Sequence, residues 1–288
     1  MILRRRHGFV AMSRFFLQSA FFWCALMPIH AQRTGGGALM MISYKDGRSI
    51  PVGIGEVDSL WFTTLPSSYL LDGASFPSYI RKSVSLKGKR VAFFGDSIMK
   101  GHVNGREVTS ANFPNLLAET CSLGRCDNYA VAGATYTPAL RDVKTVMEQM
   151  ATVRLANYDV IIIAAGVNDW QLGGDIAKFE AAVKSLCTEL SGVDAEVVFI
   201  TPINCATTST LSDPVASLQV YRNIIYKVVL EAGKRAHLSV VQGTDFGFPD
   251  SQSSSEYVEM MFGDRLHPSE LGYRTLYLPG FIRAINTK

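Results

Sequence analysis

The sequence predicts a three-layer α/β/α domain built around a five-stranded parallel β-sheet. Five short, continuous apolar segments follow residue 89, and such segments are typical of strands that are buried on both faces. Segments whose apolar residues recur at helical spacing separate them, which predicts helices that cross between parallel strands. The chain has 288 residues, of which 48% are hydrophobic, and this is enough for one large buried core.

The strands and helices of this domain follow from the same patterns. We predict strands at residues 90–94, 128–131, 160–164, 197–201 and 238–241. We predict helices over the apolar positions between 140 and 153, over 176–190, over 213–235 with Pro214 in the first turn, and over 269–285 with a kink at Pro279. Because helices separate the strands, the strands can all run in one direction.

The N-terminus has the composition of a secretory signal peptide. Four arginines precede an apolar run at 15–27, and a short cleavage region that ends in the small residue Ala31 follows. The run is shorter than the roughly 20 residues that span a bilayer. We therefore predict cleavage after Ala31, a secreted or periplasmic bacterial protein, and no stable membrane insertion; an uncleaved anchor is the alternative.

The charge of the chain argues against a nucleic-acid partner. Residues 1–31 hold four arginines and no acidic residue, so their removal takes the formal charge from +3 to −1. No basic stripe remains that would bind a phosphate backbone.

A small β module is predicted between the signal peptide and the α/β domain. Apolar runs at 39–44 and 49–54 flank an Asp-Gly turn, which predicts a hairpin, and a third short strand is expected within 57–62. Three glycines at 35–37 are expected to form a flexible joint. The chain then divides into a signal peptide at 1–31, the β-hairpin module at 32–66, a linker or wrapping segment at 67–88, and the α/β domain at 89–288.

Four cysteines follow the signal peptide, and an even number in an exported chain makes disulfides plausible. We expect a local bridge between Cys121 and Cys126, which bracket a short loop. Cys187 falls on the apolar face of a predicted helix and is expected to be buried. The chain has no Cys-x-x-Cys pair and no histidine cluster, so we expect no zinc site.

Polar residues stand at the carboxyl ends of three predicted strands and just before the last helix. Ser97 follows the first strand, Gly133 the second and Asn168 the third, while Asp264 and His267 precede the last helix. The carboxyl ends of parallel strands meet at one edge of the sheet, where ligands bind. By itself Gly95-Asp96-Ser97 is typical of a turn, but the five residues together predict a site.

Each of the five supplies something that a serine hydrolase requires. A serine hydroxyl needs a base, and His267 can take its proton while Asp264 binds the other ring nitrogen. The backbone N–H groups of Ser97 and Gly133 and the side-chain amide of Asn168 can donate to the oxyanion. We also expect Gly133 to let the backbone approach the substrate, which a side chain would block.

These segments resemble the signature blocks of the SGNH (GDSL-type) hydrolase family. The matching blocks are Gly-Asp-Ser at 95–97, the glycine at 133, Gly-x-Asn-Asp at 166–169 and Asp-x-x-His-Pro at 264–268, with Thr-Pro at 201–202 in support. The resemblance covers residues 89–288 and implies a flavodoxin-like sheet with strand order 2-1-3-4-5. It also implies Ser97 as nucleophile, Gly133 and Asn168 as oxyanion donors, His267 as base, Asp264 as orienting acid, and no metal or cofactor. Residue 99 is methionine, so the Gly-x-Ser-x-Gly of α/β-hydrolases is absent.

Other residues near these segments have more than one interpretation. Asp96 is expected to stabilise its turn rather than to serve the serine, and Asp169 to cap a helix or to accept hydrogen bonds behind the site. His102 could line the pocket, while His237 is expected to be structural. Trp170 could stack on a sugar ring or be an ordinary packed aromatic, and the same holds for its neighbours Tyr136 and Met99.

We therefore predict a secreted serine esterase, first of all a carbohydrate O-acetyl esterase that acts on a small-molecule or polysaccharide ester. A lipase, lysophospholipase or thioesterase with the same chemistry is the first alternative. An acyltransferase that passes the acyl group to a sugar hydroxyl is another, and a non-catalytic carbohydrate-binding protein is the last.

Overall fold

The computed structural model describes residues 29–34, 37–43, 49–53, 77–103, 106–107, 110–205, 217–234, 236–248 and 259–286. The chain divides into two units, Met1–Leu65 and Pro66–Lys288, and each is described by itself.

The N-terminal unit contains a three-stranded antiparallel sheet in the order β1-β2-β3, with β1 at Ile29–Thr34, β2 at Gly37–Ser43 and β3 at Ser49–Gly53. Strands β2 and β3 pair from Leu39↔Gly53 to Ser43↔Ser49, which confirms the predicted hairpin. Strand β1 was not predicted from the sequence, and the predicted cleavage after Ala31 falls within it. The third strand predicted within 57–62 lies outside the described residues.

The larger unit is built on five parallel strands. These five strands are β4 at Arg90–Gly95, β7 at Arg125–Asn128, β8 at Val160–Ala164, β9 at Glu196–Ile200 and β10 at Leu238–Val241. A separate short antiparallel pair, β5 at His102–Val103 and β6 at Arg106–Glu107, lies between β4 and β7 in the chain. The central sheet has the order β10-β9-β8-β4-β7 and all its neighbours are parallel. This is the expected 2-1-3-4-5 order.

Strand β7 differs from its predicted position by three residues. It begins at Arg125 and ends at Asn128, whereas the apolar residues that suggested a strand follow it. Because β7 is an edge strand that pairs only with β4, polar residues are tolerated in it. The residues after it leave the sheet and turn toward the site.

Eight helices lie within the described residues of the larger unit. They are α1 at Ser97–Lys100, α2 at Phe113–Cys121, α3 at Val146–Ala151, α4 at Val167–Gln171, α5 at Ile176–Leu190, α6 at Leu218–Gly233, α7 at Glu270–Gly272 and α8 at Leu278–Asn286. Single 3-10 turns occur at Leu155–Asn157 and Gly243–Phe246. No helix of this described part combines the length and the apolar character that a membrane span requires.

The predicted C-terminal helix is present, and it is irregular in the turn before Pro279. A π-helical turn at Tyr273–Tyr277 connects α7 to α8 without a break, and Pro279 is the second residue of α8. Pro279 therefore lies inside a continuous helical segment, where it has no N–H to offer to a carbonyl of the preceding turn. The kink itself stays a prediction.

The helices form two layers that cover the sheet. Phe113 of α2 packs on Phe93 of β4, with ring centroids 6.0 Å apart, and on Phe281 of α8 at 5.1 Å. Phe179 of α5 packs against Tyr221 of α6 at 4.8 Å. Strands β4, β8, β9 and β10 are mostly buried between these layers, as the continuous apolar runs predicted.

Part of the predicted linker protects the edge strand β10. Tyr79 and Val240 exchange backbone hydrogen bonds of 2.8 Å, and Ser78 Oγ accepts from the Gln242 N–H at 2.9 Å. Val84 and Leu86 are buried. The described end of this segment therefore wraps the domain and satisfies backbone groups that an open edge would leave unpaired.

The bridge expected between Cys121 and Cys126 is wrong, because both residues are free thiols. Cys126 Sγ donates to the carbonyl of Pro114 at 3.5 Å, near the start of α2. Cys121 ends that helix, seven residues or about 10 Å farther along it. Burial raises the pKa of the Cys126 thiol to about 11. Cys187 is buried on α5, as predicted.

Candidate active site

Ser97 stands at the carboxyl end of the central strand β4. The strand ends at Gly95, and Asp96 caps helix α1, whose first residue is Ser97. Gly95 has φ +150°, and a Cβ built on it would lie 2.0 Å from the carbonyl oxygen of Ala164 on β8. Only glycine therefore allows β4 and β8 to stay paired up to the residue that leads into the serine.

Three of the predicted site residues form one hydrogen-bonded chain. The Oγ of Ser97 lies 2.7 Å from Nε2 of His267, and Nδ1 of His267 lies 2.6 Å from Oδ2 of Asp264. Ser97 and His267 are buried. A hydroxyl, an imidazole and a carboxylate in this order allow the imidazole to accept the hydroxyl proton and the carboxylate to fix its tautomer.

The loop that carries Asp264 and His267 is held by its own backbone. The second carboxylate oxygen of Asp264, Oδ1, accepts from the N–H groups of Leu266 and His267, each at 3.0 Å. Phe262 donates to the His267 carbonyl at 2.9 Å, which closes the loop. Burial opposes the charge of Asp264, but the hydrogen bonds from the His267 ring and from the two N–H groups outweigh it and lower its pKa to about 2.

Gly133 and Asn168 meet at a tight turn beside β4. Ala134 donates to the Val131 carbonyl at 3.0 Å, and Nδ2 of Asn168 donates to the Ala134 carbonyl at 2.9 Å. The N–H of Val131 donates to the Gly95 carbonyl at 3.0 Å, which fixes the turn next to the serine segment. The structure thus brings the second and third strand ends together with the first.

Gly133 has a neighbour that the sequence did not indicate. Gly133 has φ +82°, a conformation that favours glycine, and a Cβ built on it would lie 2.9 Å from Nη1 of Arg141. The space that a side chain would fill therefore holds the guanidinium group of Arg141, and the expected close approach of substrate stays a prediction. Arg141 is exposed and was not singled out from the sequence.

Two other aspartates shape the loops of the site. Asp96 Oδ1 accepts from the Ile98 N–H at 2.9 Å, which confirms its expected role in the turn. Asp169 accepts from the N–H groups of Tyr136 and Thr137 at 3.0 and 2.9 Å, as expected of an acceptor behind the site. Burial raises the pKa of Asp96 to about 7, and burial also raises the pKa of Asp169.

Gln149 is a site-supporting residue that sequence reasoning missed. It is buried on α3, its Nε2 donates to the Gly95 carbonyl at 2.9 Å, and its Oε1 accepts from the Gly95 N–H at 3.0 Å. Strand β7 ends at Asn128, opposite Phe93, so the amide of Gln149 continues the ladder where β7 stops. One feature of the sequence could have indicated this role: Gln149 is a polar residue on the same helix face as the apolar Val146 and Met150.

A second missed contact anchors helix α1 from the C-terminal segment. The hydroxyl of Tyr273 donates to the Ile98 carbonyl at 2.7 Å, and Tyr273 is buried. The segment that follows His267 therefore also holds the helix that carries Ser97. This couples the positions of the two candidate catalytic groups.

The histidines and aromatic residues fall into clear groups. The ring of His102 lies beside that of His267, with centroids 4.5 Å apart. His237 is away from the site, with Nδ1 2.7 Å from Nη1 of Arg81, which fits a structural role. Trp170 and Tyr136 are buried, and so is Met99, so the packed alternative holds for them. Trp170 offers no exposed ring face to a sugar.

A pocket that is partly open to solvent lies beside helix α1. Its lining is mostly apolar, and it includes Asp96 and Ile98, which flank Ser97, and Leu266, which precedes His267. Ser97 and His267 themselves do not line it. Within the described part of the chain there is no group of three or more His, Cys, Asp or Glu that could hold a metal ion.

These groups together have the composition that acyl transfer requires. The N–H groups of Ser97 and Gly133 have no acceptor among the described residues, which leaves them available to a developing oxyanion. They accompany a hydroxyl bonded to an oriented imidazole, at the ligand-binding edge of a parallel sheet. The arrangement is therefore typical of enzymes that catalyse acyl transfer.

Comparison with protein families agrees with this class. The family described as GDSL-like lipase/acylhydrolase matches residues 93–275. The chain belongs to this family of esterases and acylhydrolases, which confirms the SGNH (GDSL-type) resemblance. Among curated proteins, none matches the chain.

Solved structures share the fold at low sequence identity. A protein from Lactobacillus plantarum is 21% identical with a TM-score of 0.56, and the match covers 70% of this chain and 95% of that one. The acetylxylan esterase Axe2 from Geobacillus stearothermophilus is 16% identical with a TM-score of 0.50, covering 71% and 98%. The acetyl xylan esterase AlAXEase is 18% identical with a TM-score of 0.50, covering 68% and 98%. At these identities the likeness shows the fold.

Proposed function

We propose that this acylhydrolase is a serine esterase in which Ser97 is the nucleophile. The observation that supports the proposal most directly is the chain of contacts from Ser97 Oγ to His267 and on to Asp264, at 2.7 and 2.6 Å. The Oγ attacks the ester carbonyl carbon while its proton passes to Nε2 of His267. The bond to the alcohol oxygen then breaks, and the alcohol leaves with that proton.

Water completes the reaction by the same route. His267 takes a proton from water, the resulting hydroxide attacks the acyl-enzyme carbonyl, and the carboxylic acid leaves as Ser97 regains its proton. Asp264, whose pKa is lowered to about 2, stays ionised and stabilises the imidazolium that forms in each half. The N–H groups of Ser97 and Gly133 and the amide of Asn168 are the proposed oxyanion donors, and one such donor is worth about a hundred- to a thousandfold in kcat.

The proposed substrate is an O-acetyl ester of a carbohydrate, either a small molecule or a polysaccharide. The support is the predicted signal peptide at 1–31, which would bring the enzyme to sugars outside the cytoplasm, and the family to which the chain belongs. The acetylxylan esterases that share the fold are compatible with this substrate class. We accordingly propose that the enzyme works outside the cytoplasmic membrane.

A second candidate, an acylhydrolase for longer chains, is favoured by one observation. The pocket beside α1 is mostly apolar and begins next to the residues that flank Ser97 and His267. An acyl chain bound there would lose apolar surface to the protein, at about 25 cal/mol per Å².

Two measurements test the nucleophile and the substrate. Ser97→Ala should abolish both esterase activity and labelling by a fluorophosphonate, whereas Ser191→Ala, an exposed serine at the end of α5, should retain both. Labelling of the chain that survives Ser97→Ala refutes the assignment. With nitrophenyl esters of increasing length, activity confined to acetate supports the carbohydrate O-acetyl esterase, and a preference for long chains supports the second candidate.

A further inference from the structure

His102 lies against the candidate base by the local geometry of the chain. Helix α1 is only four residues long and begins with Ser97. Gly101 ends it, and its N–H donates to the Ser97 carbonyl at 3.0 Å, which turns the chain back on itself. His102 follows as the first residue of β5. The segment that presents the nucleophile therefore also returns an imidazole to the site.

The contact between the two histidines leaves both nitrogens of His267 to their partners. The ring centroids are 4.5 Å apart and the ring planes are inclined by 38°. Nε2 of His267 contacts Ser97 and Nδ1 contacts Asp264. His102 therefore limits ring rotation by packing, without competing for a proton position.

We propose that His102 is a positioning residue that holds the His267 ring between Ser97 and Asp264, and whose own protonation switches the reaction off in acid. This inference rests on the proposed function, because it assigns His267 the part of the base. The structure gives the reason for the switch. When Ser97 loses its proton, His267 becomes an imidazolium, and a second positive charge 4.5 Å away opposes that step.

Among the residues that the structure describes, four charged or titratable groups face His102. His267 and Asp264 belong to the C-terminal loop, Glu107 is its partner on strand β6, and Lys100 ends α1. Lys100 Nζ and Glu107 Oε1 are 2.5 Å apart, so these two charges largely offset each other. Burial first, and then the charge of His267, lower the pKa of His102 below its ordinary value. Protonation of His102 therefore requires more acid than protonation of a free imidazole does.

The direction of the coupling follows from the ring separation. Two positive charges 4.5 Å apart repel each other, and they do so more strongly where less water surrounds them. The charge of His267 is one of the causes that lower the pKa of His102. Replacement of the neighbouring imidazole should therefore raise the pKa of His102.

The first test measures this coupling without any assay of activity. The pKa of His102 is read from its ring proton resonances in the full chain and in the His267→Gln variant. A higher pKa of His102 in the variant supports the proposal, and an unchanged or lower pKa overturns it. His237, whose ring lies against Arg81 away from the site, is the internal control, and its ring resonances should be the same in both proteins.

The second test uses pH–rate profiles of kcat/KM on an acetyl ester. In the wild type, protonation of either imidazole stops the reaction. At low pH, kcat/KM should therefore fall more steeply with decreasing pH than the protonation of one group allows. His102→Phe keeps a ring but cannot be protonated, and its acid limb should fit one proton. His102→Ala removes the packing, so kcat should fall about tenfold while KM stays within about twofold. His237→Phe should leave the profile unchanged.

The two tests separate this inference from the proposed function. If the wild type hydrolyses no ester, the proposed function fails, and the resonance titration still decides whether His102 and His267 are coupled. If the wild type is active but His102→Phe has the same acid limb and His102→Ala the same kcat, the proposed role of His102 is refuted while the esterase assignment stands.

Discussion

Replacement of Gln149 by methionine tests whether a buried side-chain amide supports the serine segment. The side chain brackets Gly95 with two hydrogen bonds, of 2.9 and 3.0 Å. Methionine has a similar length and helix propensity, so Gln149→Met removes the polar groups with little change of shape. The Gly95 carbonyl keeps its bond from the Val131 N–H, but the Gly95 N–H is left buried without a partner.

The expected cost follows from this inventory. A buried N–H without a partner costs about 1–3 kcal/mol, and the lost bond to the carbonyl adds about 1 kcal/mol. The free energy of unfolding should therefore fall by about 2–4 kcal/mol. For a domain of this size each kcal/mol lowers Tm by about 2–4 °C, so Tm should fall by at least about 4 °C.

Urea unfolding and thermal melts measure these changes, and Gln219→Met is the matched control. Gln219 lies half-buried on α6, and among the described residues its amide contacts the side chains of Asn223 and Arg222. Both contacts are only partly buried, so water can replace the amide and its loss should cost no more than about 1 kcal/mol. Below its Tm, Gln149→Met should also lose about ten- to a hundredfold in kcat/KM, because Ser97 follows Gly95 closely. A variant with wild-type Tm and wild-type activity would refute the reasoning.

Three further variants probe the carboxylates and the turn of the site. Asp264→Asn should lower kcat by about 10³–10⁴-fold, because the amide no longer stabilises the His267 imidazolium; activity within tenfold of wild type contradicts this. Gly133→Ala should cost about 1–2 kcal/mol in urea unfolding for its positive φ, and if Arg141→Ala restores that stability, the contact with Arg141 rather than φ is the cause. Burial raises the pKa of Asp96 to about 7, so the folded chain binds a proton that the unfolded chain has lost, and stability declines from about pH 4 to 7. Asp96→Asn should flatten that decline, and an unchanged slope of unfolding free energy against pH would exclude Asp96 as its source.

The sequence predicted the parts of the fold that local pattern determines. Continuous apolar runs located β4, β8, β9 and β10 to within a residue of their observed ends. The residues at the ends of parallel strands then had to share one edge of the sheet, which is why sequence reasoning could group Ser97, Gly133 and Asn168 into one site. The edge strand β7 was misplaced because its residues are polar and its apolar neighbours lie outside it.

The parts that depend on tertiary contacts could not be predicted in this way. No local pattern indicates that Gln149 reaches Gly95, 54 residues earlier, or that Arg141 lies on Gly133. Helices α1, α2 and α4 were not predicted, and in α1 and α4 the four or five residues are too few to show a helical period. The short spacing of Cys121 and Cys126 suggested a bridge. A disulfide also requires that the two side chains point toward each other, and sequence spacing does not show this.

The environments of three aspartates explain why only one of them fits the part of the orienting acid. Asp96 is the nearest to Ser97 in sequence, yet burial raises its pKa to about 7 and its oxygen is used to cap α1. Asp169 is also buried, with a raised pKa, and both its oxygens bind backbone N–H groups. Asp264 is the exception, because 43% of its side-chain area is exposed and its hydrogen bonds lower its pKa to about 2. A carboxylate that must face a positive imidazolium has to remain charged, and solvent access together with donated hydrogen bonds keeps it so. Proximity to Ser97 in the sequence would favour Asp96 as the orienting acid, whereas the need for a charged carboxylate favours Asp264.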